Sequence, residues 1–447
     1  MLQATRFPKD SFTYLKTLQG VPFDSDPVDF FKSISSAELV KTERETVAIR
    51  RPDDNGTEWT VEELIAMQFS YIKELAESVG SSEARETVRD VVLTVPPYFT
   101  QFERDAIVDA LEIAGLRLLA LVNDGTAVAL NYAMGRTFPE TKEWHVIYDA
   151  GASGIRATVV SFTTTPLDPK AKSTSTGKDS TQITVAGVGF DRSAGGLELD
   201  RRMRDMLARD FERKFGRPIT GDQRGMAKLW KEAGRIKTIL SANTEAMPSV
   251  ESVAFDIDYR SKISRVDFEK ECDDLKPRFA QPIKDALANA GLTMENITSV
   301  IFAGGHSRVP MVQAAVRAAV GEKKIATSVN ADEAAVLGAA LYGASVSRQF
   351  RTKDIKVTDI IPYDVQISYQ SEPKSVDSAS EGAQKPLKQG RTINSLVFPF
   401  GSKTGSKKTL TFKRKDDFSL KMSYRGYLGG YVYKLFFFPV PILTILV

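Results

Sequence analysis

The chain has 447 residues, 42% hydrophobic and 26% charged, an ordinary globular composition with length for two to three domains. Its 60 basic and 57 acidic residues leave a net charge of +3, which implies neither a nucleic-acid partner nor an acidic membrane surface. One cysteine, Cys272, excludes an intrachain disulfide, and two histidines, His145 and His306, offer neither zinc-ligand spacing nor a nucleophile-elbow context.

The N-terminal run MLQATRFPKDSFTYLKTLQG has no apolar stretch of the kind that opens a secretory signal. Residues 7–20 have room for one short helix. Residues 46–60 read as a hairpin turning at Asp53-Asp54-Asn55-Gly56, because Asn-Gly favours a tight turn. From Thr60 onward Val61, Leu64, Ile65, Phe69, Ile72 and Leu75 fall on one helical stripe. Residues 91–95 are a β-branched run stopped by Pro96-Pro97. Thr100 and Glu103 have capping-box spacing, and Gly115 suits the end of the helix they start. Residues 116–122 form a second strand, and a helix follows Asn123-Asp124-Gly125. Strand, helix, strand, helix is an α/β layer pattern.

Strands at 144–148 and 157–162 then flank Asp149-Ala-Gly-Ala-Ser-Gly154. A polar loop is expected at 163–180 and a strand at 181–188, leading through 189–196 into a long amphipathic helix. Helical blocks cover 221–243 and 266–290. A strand at 299–303 ends in Gly304-Gly305, and a last helix starts after Asn330. Beyond residue 343 the composition changes. Residues 345–354 read as a linker, 355–369 and 392–424 alternate like strands, and the insert 370–391 is polar. A separate all-β domain is therefore expected from residue 355, interrupted by the apolar run LFFFPVPILTILV. That run is short for a bilayer span and holds two prolines, so it reads as a buried strand or an abnormal end of the reading frame.

Four groups of residues carry chemistry. Asp149 ends a strand at a turn containing Gly151 and Gly154, where amides can approach an anion and the carboxylate can hold Mg²⁺ through water. An empty tight hairpin explains the same residues equally well. Gly304-Gly305 join a strand to a helix opening at Pro310, an anion-binding geometry, with Arg308 placed to stack on a purine face. A plain strand-to-helix turn competes with that reading. Asn330 is a good N-cap, Asp332 and Glu333 suit a first turn, and Gly338, Ala339, Ala340 and Gly343 permit close helix packing. Lys237 and Ser241, with Arg235 nearby, lie on a basic helix and share a face at a spacing of four; a solvated face is the bland alternative.

Taken in order, VVLTVPPYFTQFERDAIVDALEIAGLRLLALVNDGTAVALNYAM, VIYDAGASG, GVGFDRSAGGLELD, IKTILSAN and VIFAGGHSRVP with VNADEAAVLGAA resemble the seventy-kilodalton heat-shock chaperone family. GVGFDRSAGGLE, KTILSAN and NADEAAVLGAA look most like its large glucose-regulated, hypoxia-up-regulated branch of the endoplasmic reticulum lumen. The resemblance covers about residues 5–425. It implies an α/β fold: an actin-like two-lobed ATPase domain over 1–344, a linker at 345–354, an incomplete all-β substrate-binding domain at 355–425 and a divergent apolar tail at 426–447. It also implies ATP or ADP with Mg²⁺ as ligands, and as partners unfolded polypeptides and the conventional lumenal chaperone, whose nucleotide exchange this branch assists. Nucleic acid and a membrane span are not implied.

By position, Asp149 matches the aspartate near the metal, and Gly151, Gly154, Gly195 and Gly196 fall in phosphate-loop positions. Lys237 and Ser241 match adenosine contacts; Gly304, Gly305, Arg308 and Asp332 match the other wall of that pocket. Asp124 stands at a metal-site glutamate, and Lys16 matches the catalytic lysine. The departures bear on activity. The family's first phosphate hairpin has no counterpart, which reads as an N-terminal truncation. Gly154 stands where hydrolytic members carry threonine, Arg156 replaces an aspartate, Gly234 and Thr238 replace a glutamate and an arginine, and His306 replaces a serine. Phosphoryl transfer rests on positioning and electrostatics, so weak or absent hydrolysis is expected. Asn55-Gly-Thr57 and Asn296-Ile-Thr298 are glycosylation sequons, consistent with a lumenal parent. A metabolic kinase of the same fold and an inactive scaffold are the competing expectations.

Overall fold

The computed structural model describes residues 2–52, 56–79, 87–167, 179–347, 350–371, 391–412, 418–425, 433–437 and 442–446. They fall into two compact units, Met1–Val357 and Thr358–Val447.

The first unit is mixed α/β. A helix at Leu2–Arg6 opens it, and residues 7–20 hold two 3-10 turns, Pro8–Asp10 and Leu15–Thr17, in place of the expected short helix. Pro8 lacks the amide a continuing helix needs, and Tyr14 adopts φ +60°, which breaks helical geometry. Strands Val47–Arg50 and Glu58–Thr60 form the expected antiparallel hairpin, joined by Glu38–Lys41. Its turn, with the Asn55 sequon, lies outside the described residues. The helix Val61–Val79 buries Val61, Leu64 and Ile65, but Ile72 and Leu75 at its far end are exposed.

Asp90–Val95 and Arg117–Asn123 pair in parallel, with helix Gln101–Ile113 crossing between them. The Thr100–Glu103 capping box is present, and Gly115 closes the crossover at φ +68°. A six-stranded sheet follows in the order Ile325–Ala326, Ile297–Ala303, Glu143–Ala150, Ile155–Pro166, Asp179–Asp191, Asp354–Thr358. The strands expected at 157–162 and 181–188 are longer than their apolar runs, because they pair with one another well into the polar segment. Gly187 and Gly189 face helix Lys276–Ala290 so closely that a Cβ on either would lie 2.2 Å from a helix carbonyl oxygen. Two glycines two residues apart on one strand face give that helix its seat.

Three further expectations change. The block 266–290 is two helices, Arg265–Glu271 and Lys276–Ala290, separated by a 3-10 turn; Pro277 at the second helix's start suits a beginning and not a continuation. Short strands between 245 and 264 were not anticipated. Asn330 does not cap the last helix: it begins at Ala334 with Glu333 as N-cap, and Asn330 and Asp332 lie in the turn before it. Gly338 does pack closely, for a Cβ there would sit 1.8 Å from the Ala127 carbonyl oxygen.

The segment read as a linker is tied down at its end. Lys353 donates to the Ala133 and Arg136 carbonyls, and Asp354–Thr358 is the edge strand of the large sheet.

The second unit holds a four-stranded antiparallel sheet in the order Thr392–Phe398, Val365–Gln370, Phe418–Tyr424, Tyr433–Phe437. Val365, Ile367, Val397, Phe398, Phe412 and Leu420 form its core. The apolar run does not interrupt the sheet: Tyr433–Phe437 extends it, and Ile442–Leu446 pairs with Lys407–Thr411. Most of the polar insert lies outside the described residues. Among the described residues no helix is long and apolar enough to cross a membrane.

Candidate functional site

The large sheet brings the glycine motifs together. Ala303 pairs with Asp149 in parallel register, so Gly304 leaves its strand beside the Asp149 turn. Gly304 has φ +77°, and a Cβ there would meet the Ala150 carbonyl oxygen at 2.2 Å and Asp149 Oδ1 at 2.5 Å. Only glycine fits. The Asp149 turn closes by a Gly151 amide to Gly154 carbonyl bond of 3.0 Å. Helix Gly196–Phe215 docks on the same turn, its Gly196 and Leu197 amides donating to the Gly151 and Ala152 carbonyls.

The predicted glycines therefore sort into three kinds. Gly154, Gly195 and Gly304 are needed for protein packing, since an added Cβ would fall within 3 Å of neighbouring backbone. Gly196 and Gly305 have looser surroundings: the nearest atoms to a Cβ there are Lys237 Nζ at 3.5 Å and Asp332 Oδ1 at 3.3 Å. Gly151 faces the Arg156 guanidinium, whose Nη2 would be 2.7 Å from its Cβ.

One wall gathers Gly196, Lys237 and His306. Lys237 Nζ is 2.7 Å from Asp200 and donates to the Gly196 carbonyl at 3.0 Å. Asp200 was not singled out from sequence; its spacing of four from Gly196, which puts both on one helix face, was the available signal. Ser241 donates to the Lys237 carbonyl at 3.0 Å, one turn along the same helix. Arg235 is drawn away, forked on Glu232 and bonded to the Met247 carbonyl. His306 is buried, with its Nδ1 3.6 Å from the Cβ position of Gly196. Neither ring nitrogen makes a full hydrogen bond. Burial, then the charge of Lys237, lowers its pKa to about 3, with a backbone contact at Ala194 opposing the drop. The ring is neutral at physiological pH.

Beside Gly305 lie Arg308 and Asp332. Their bidentate pair, at 2.7 and 3.1 Å, is open to solvent and holds the guanidinium plane in a fixed orientation.

The acidic end differs from expectation. Asp124 opens helix Asp124–Met134 and Asp149 ends strand Glu143–Ala150. Arg156 lies directly across from Asp149 in the antiparallel register. Its guanidinium donates a hydrogen bond to Asp124 Oδ2 at 2.6 Å and forms an ion pair with Asp149 Oδ2 at 3.0 Å. All three residues are at most 8% exposed. Burial alone would lower the Arg156 pKa, but Asp149 and then Asp124 more than reverse that and hold it above its ordinary value. Burial pushes the Asp149 carboxyl up, Arg156 pulls it back, Asp124 adds to the rise and Lys16 opposes it. Lys16, exposed on its 3-10 turn, is thus within electrostatic reach of Asp149.

These residues do not fit the expected Mg²⁺. The ion needs carboxylates free to hold its coordinated water, and both are engaged by a guanidinium that proteins do not deprotonate. The role given to Asp149, holding the metal through water, is replaced by an ion pair. Among the described residues no group of three or more His, Cys, Asp or Glu is arranged to hold a metal.

An α/β unit whose sheet ends, glycine turns and Lys–Arg walls converge in this way has the layout of the actin-like ATPase fold. The family model described as Hsp70 protein matches residues 2–381. Hypoxia up-regulated protein 1 of Xenopus laevis is 38% identical over 442 residues, 97% of this chain and 65% of that protein. Its namesake in Danio rerio is 36% identical over 94% of this chain and 42% of its own length. Heat shock protein 70 homolog lhs1 of Schizosaccharomyces pombe is 38% identical over 80% of this chain and 42% of that protein. The chain belongs to the Hsp70 family. It spans less than two thirds of the length of each of these three relatives.

Proposed function

We propose that this chain is the nucleotide-binding part of a protein-folding chaperone, taking ADP or ATP between the Lys237–His306 wall and the Arg308–Asp332 wall. The observation that carries the reading is the convergence of five motifs distant in sequence on one site, with Arg308 held as a flat cation by Asp332 beside Gly305. The resemblance to the large hypoxia-up-regulated branch adds the cell compartment, the endoplasmic reticulum lumen, and the partners: unfolded polypeptides and the conventional lumenal chaperone, whose nucleotide exchange it would assist. Hydrolysis is weak or absent, because Arg156 stands where hydrolytic relatives have an aspartate.

Titration calorimetry with ADP and with ATP tests this. Saturable binding is expected, and Gly305→Val should lower affinity by about tenfold or more while the fold survives, because its Cβ meets only the Asp332 carboxylate at 3.3 Å, the end of a solvent-exposed side chain that can shift. Gly304→Val should instead destabilise the fold itself, since the clash is with Asp149 and Ala150. Absence of binding by a chain shown folded by circular dichroism would overturn the reading.

A further inference from the structure

The Arg156 guanidinium is doubly paired, buried and covalently fixed, and it lies beneath the Gly151 turn. Asp124 and Asp149 come from segments in different parts of the first unit, a helix following the small parallel sheet and a strand of the large one. A divalent ion held by both carboxylates would join the same two segments. Arg156 already makes that join, with one guanidinium placed between the two carboxylates. Its Nε is buried with no hydrogen-bond partner, so the group keeps a donor that the two aspartates do not use.

From this geometry we infer that Arg156 is a resident cation standing in for the divalent ion, so that the chain binds nucleoside di- and triphosphates without Mg²⁺. The inference rests on the nucleotide-binding reading for its ligand, but its prediction about divalent ions holds for the nucleotide-free protein as well. An ion entering the acid pair would have to displace a tethered guanidinium that no accessible pH neutralises. The phosphates would lie above a fixed positive charge, the buried Arg156 guanidinium under the Gly151 turn. Replacing Arg156 with aspartate should reverse the situation, leaving three clustered carboxylates that repel one another until a divalent ion joins them.

Two measurements on the full chain decide this. ADP affinity is titrated in EDTA and in excess Mg²⁺; the wild type should differ by less than about threefold, where coupling between a required metal and its ligand is commonly about tenfold or more. Thermal unfolding without nucleotide is followed in EDTA, Mg²⁺ and Mn²⁺. The wild type should not respond to divalent ions, whereas Arg156→Asp should melt lower in EDTA and be raised by either ion. If Arg156→Asp does not fold, Arg156→Ala, which frees the same two aspartates, should show the divalent response. An ADP affinity at least about tenfold higher in Mg²⁺ than in EDTA, or a wild-type melting point raised by divalent ions, overturns the inference. So does a folded variant indifferent to them. A chain that binds no nucleotide in either buffer overturns the nucleotide reading, while the unfolding series still decides the role of Arg156.

Discussion

Arginine meets aspartate at both ends of the site, with nearly the same contact lengths and opposite surroundings. Arg156 with Asp124 and Asp149 is almost fully buried, whereas Arg308 and Asp332 are each 56% exposed in their side chains. Distance alone would rank the two contacts as equals. Solvent separates them. A buried pair is costly to desolvate and still more costly to break, because the surviving charge has no water to turn to. An exposed pair is screened and exchanges easily with water or ligand. The first is therefore a structural join, and the second an oriented cation that stays open to solvent and ligand. That contrast is what the two proposals require, a fixed cation at one end and a solvent-open one at the other.

The largest expected effect tests the buried end. Arg156→Ala leaves two aspartates facing each other without a cation and should cost about 3–5 kcal/mol in denaturant unfolding with EDTA present. A loss below about 1 kcal/mol would place the join in the same class as a surface pair. Arg156→Met with Asp124→Asn and Asp149→Asn should recover most of the loss, since the stranded charges go with their partner.

His306 is a third case, buried and ionisable but unpaired. Its pKa is lowered from 6.5 to about 3, by burial first and then by Lys237. The unfolded chain thus takes up this proton before the folded one does. The stability that neutral His306 protects is intact above about pH 6.5 and falls as the pH drops toward 3, by up to about 1.4 kcal/mol per pH unit. Urea melts of wild type and His306→Ser between neutral pH and about pH 5 should diverge on the acid side, with the wild type losing more. Parallel curves would show that the ring meets water or a proton-accepting partner in solution.

What could be read from sequence, and what could not, divides along similar lines. The strand running to Asp149, the Thr100–Glu103 cap and the helix opening at Pro310 were legible because each is encoded within a few adjacent residues. Arg156 was visible as a departure from the family pattern. Its bond to Asp124, 32 residues away, depends on the placement of a helix and a sheet that no local pattern specifies. Asp200 escaped notice for the same reason, since its partner Lys237 belongs to the next helix. The stripe at Ile72 and Leu75 failed differently. Helical period identifies a face, but not whether anything covers it. The apolar run near the C-terminus reads by composition as a strand, and its partners, Phe418–Tyr424 and Lys407–Thr411, are set by pairing across the chain.

The smallest expected effect tests the open end. Removing Arg308 and Asp332 singly and together should give a coupling energy of only about 0.2–1 kcal/mol in unfolding, the range of exposed ion pairs. Raising the salt should shrink it further. ADP affinity should respond more strongly: Arg308→Ala removes a cation placed to lie on the base, worth about 0.5–2 kcal/mol, or about twofold to thirtyfold in Kd by calorimetry. Asp332→Asn should give a smaller loss, because the guanidinium remains but its plane is no longer fixed. The pattern that sustains the contrast is therefore stability nearly unchanged with affinity reduced, the reverse of Arg156→Ala in EDTA. If Arg308→Ala cost as much stability as Arg156→Ala, exposure would not be the variable that separates two arginine–aspartate contacts of equal length.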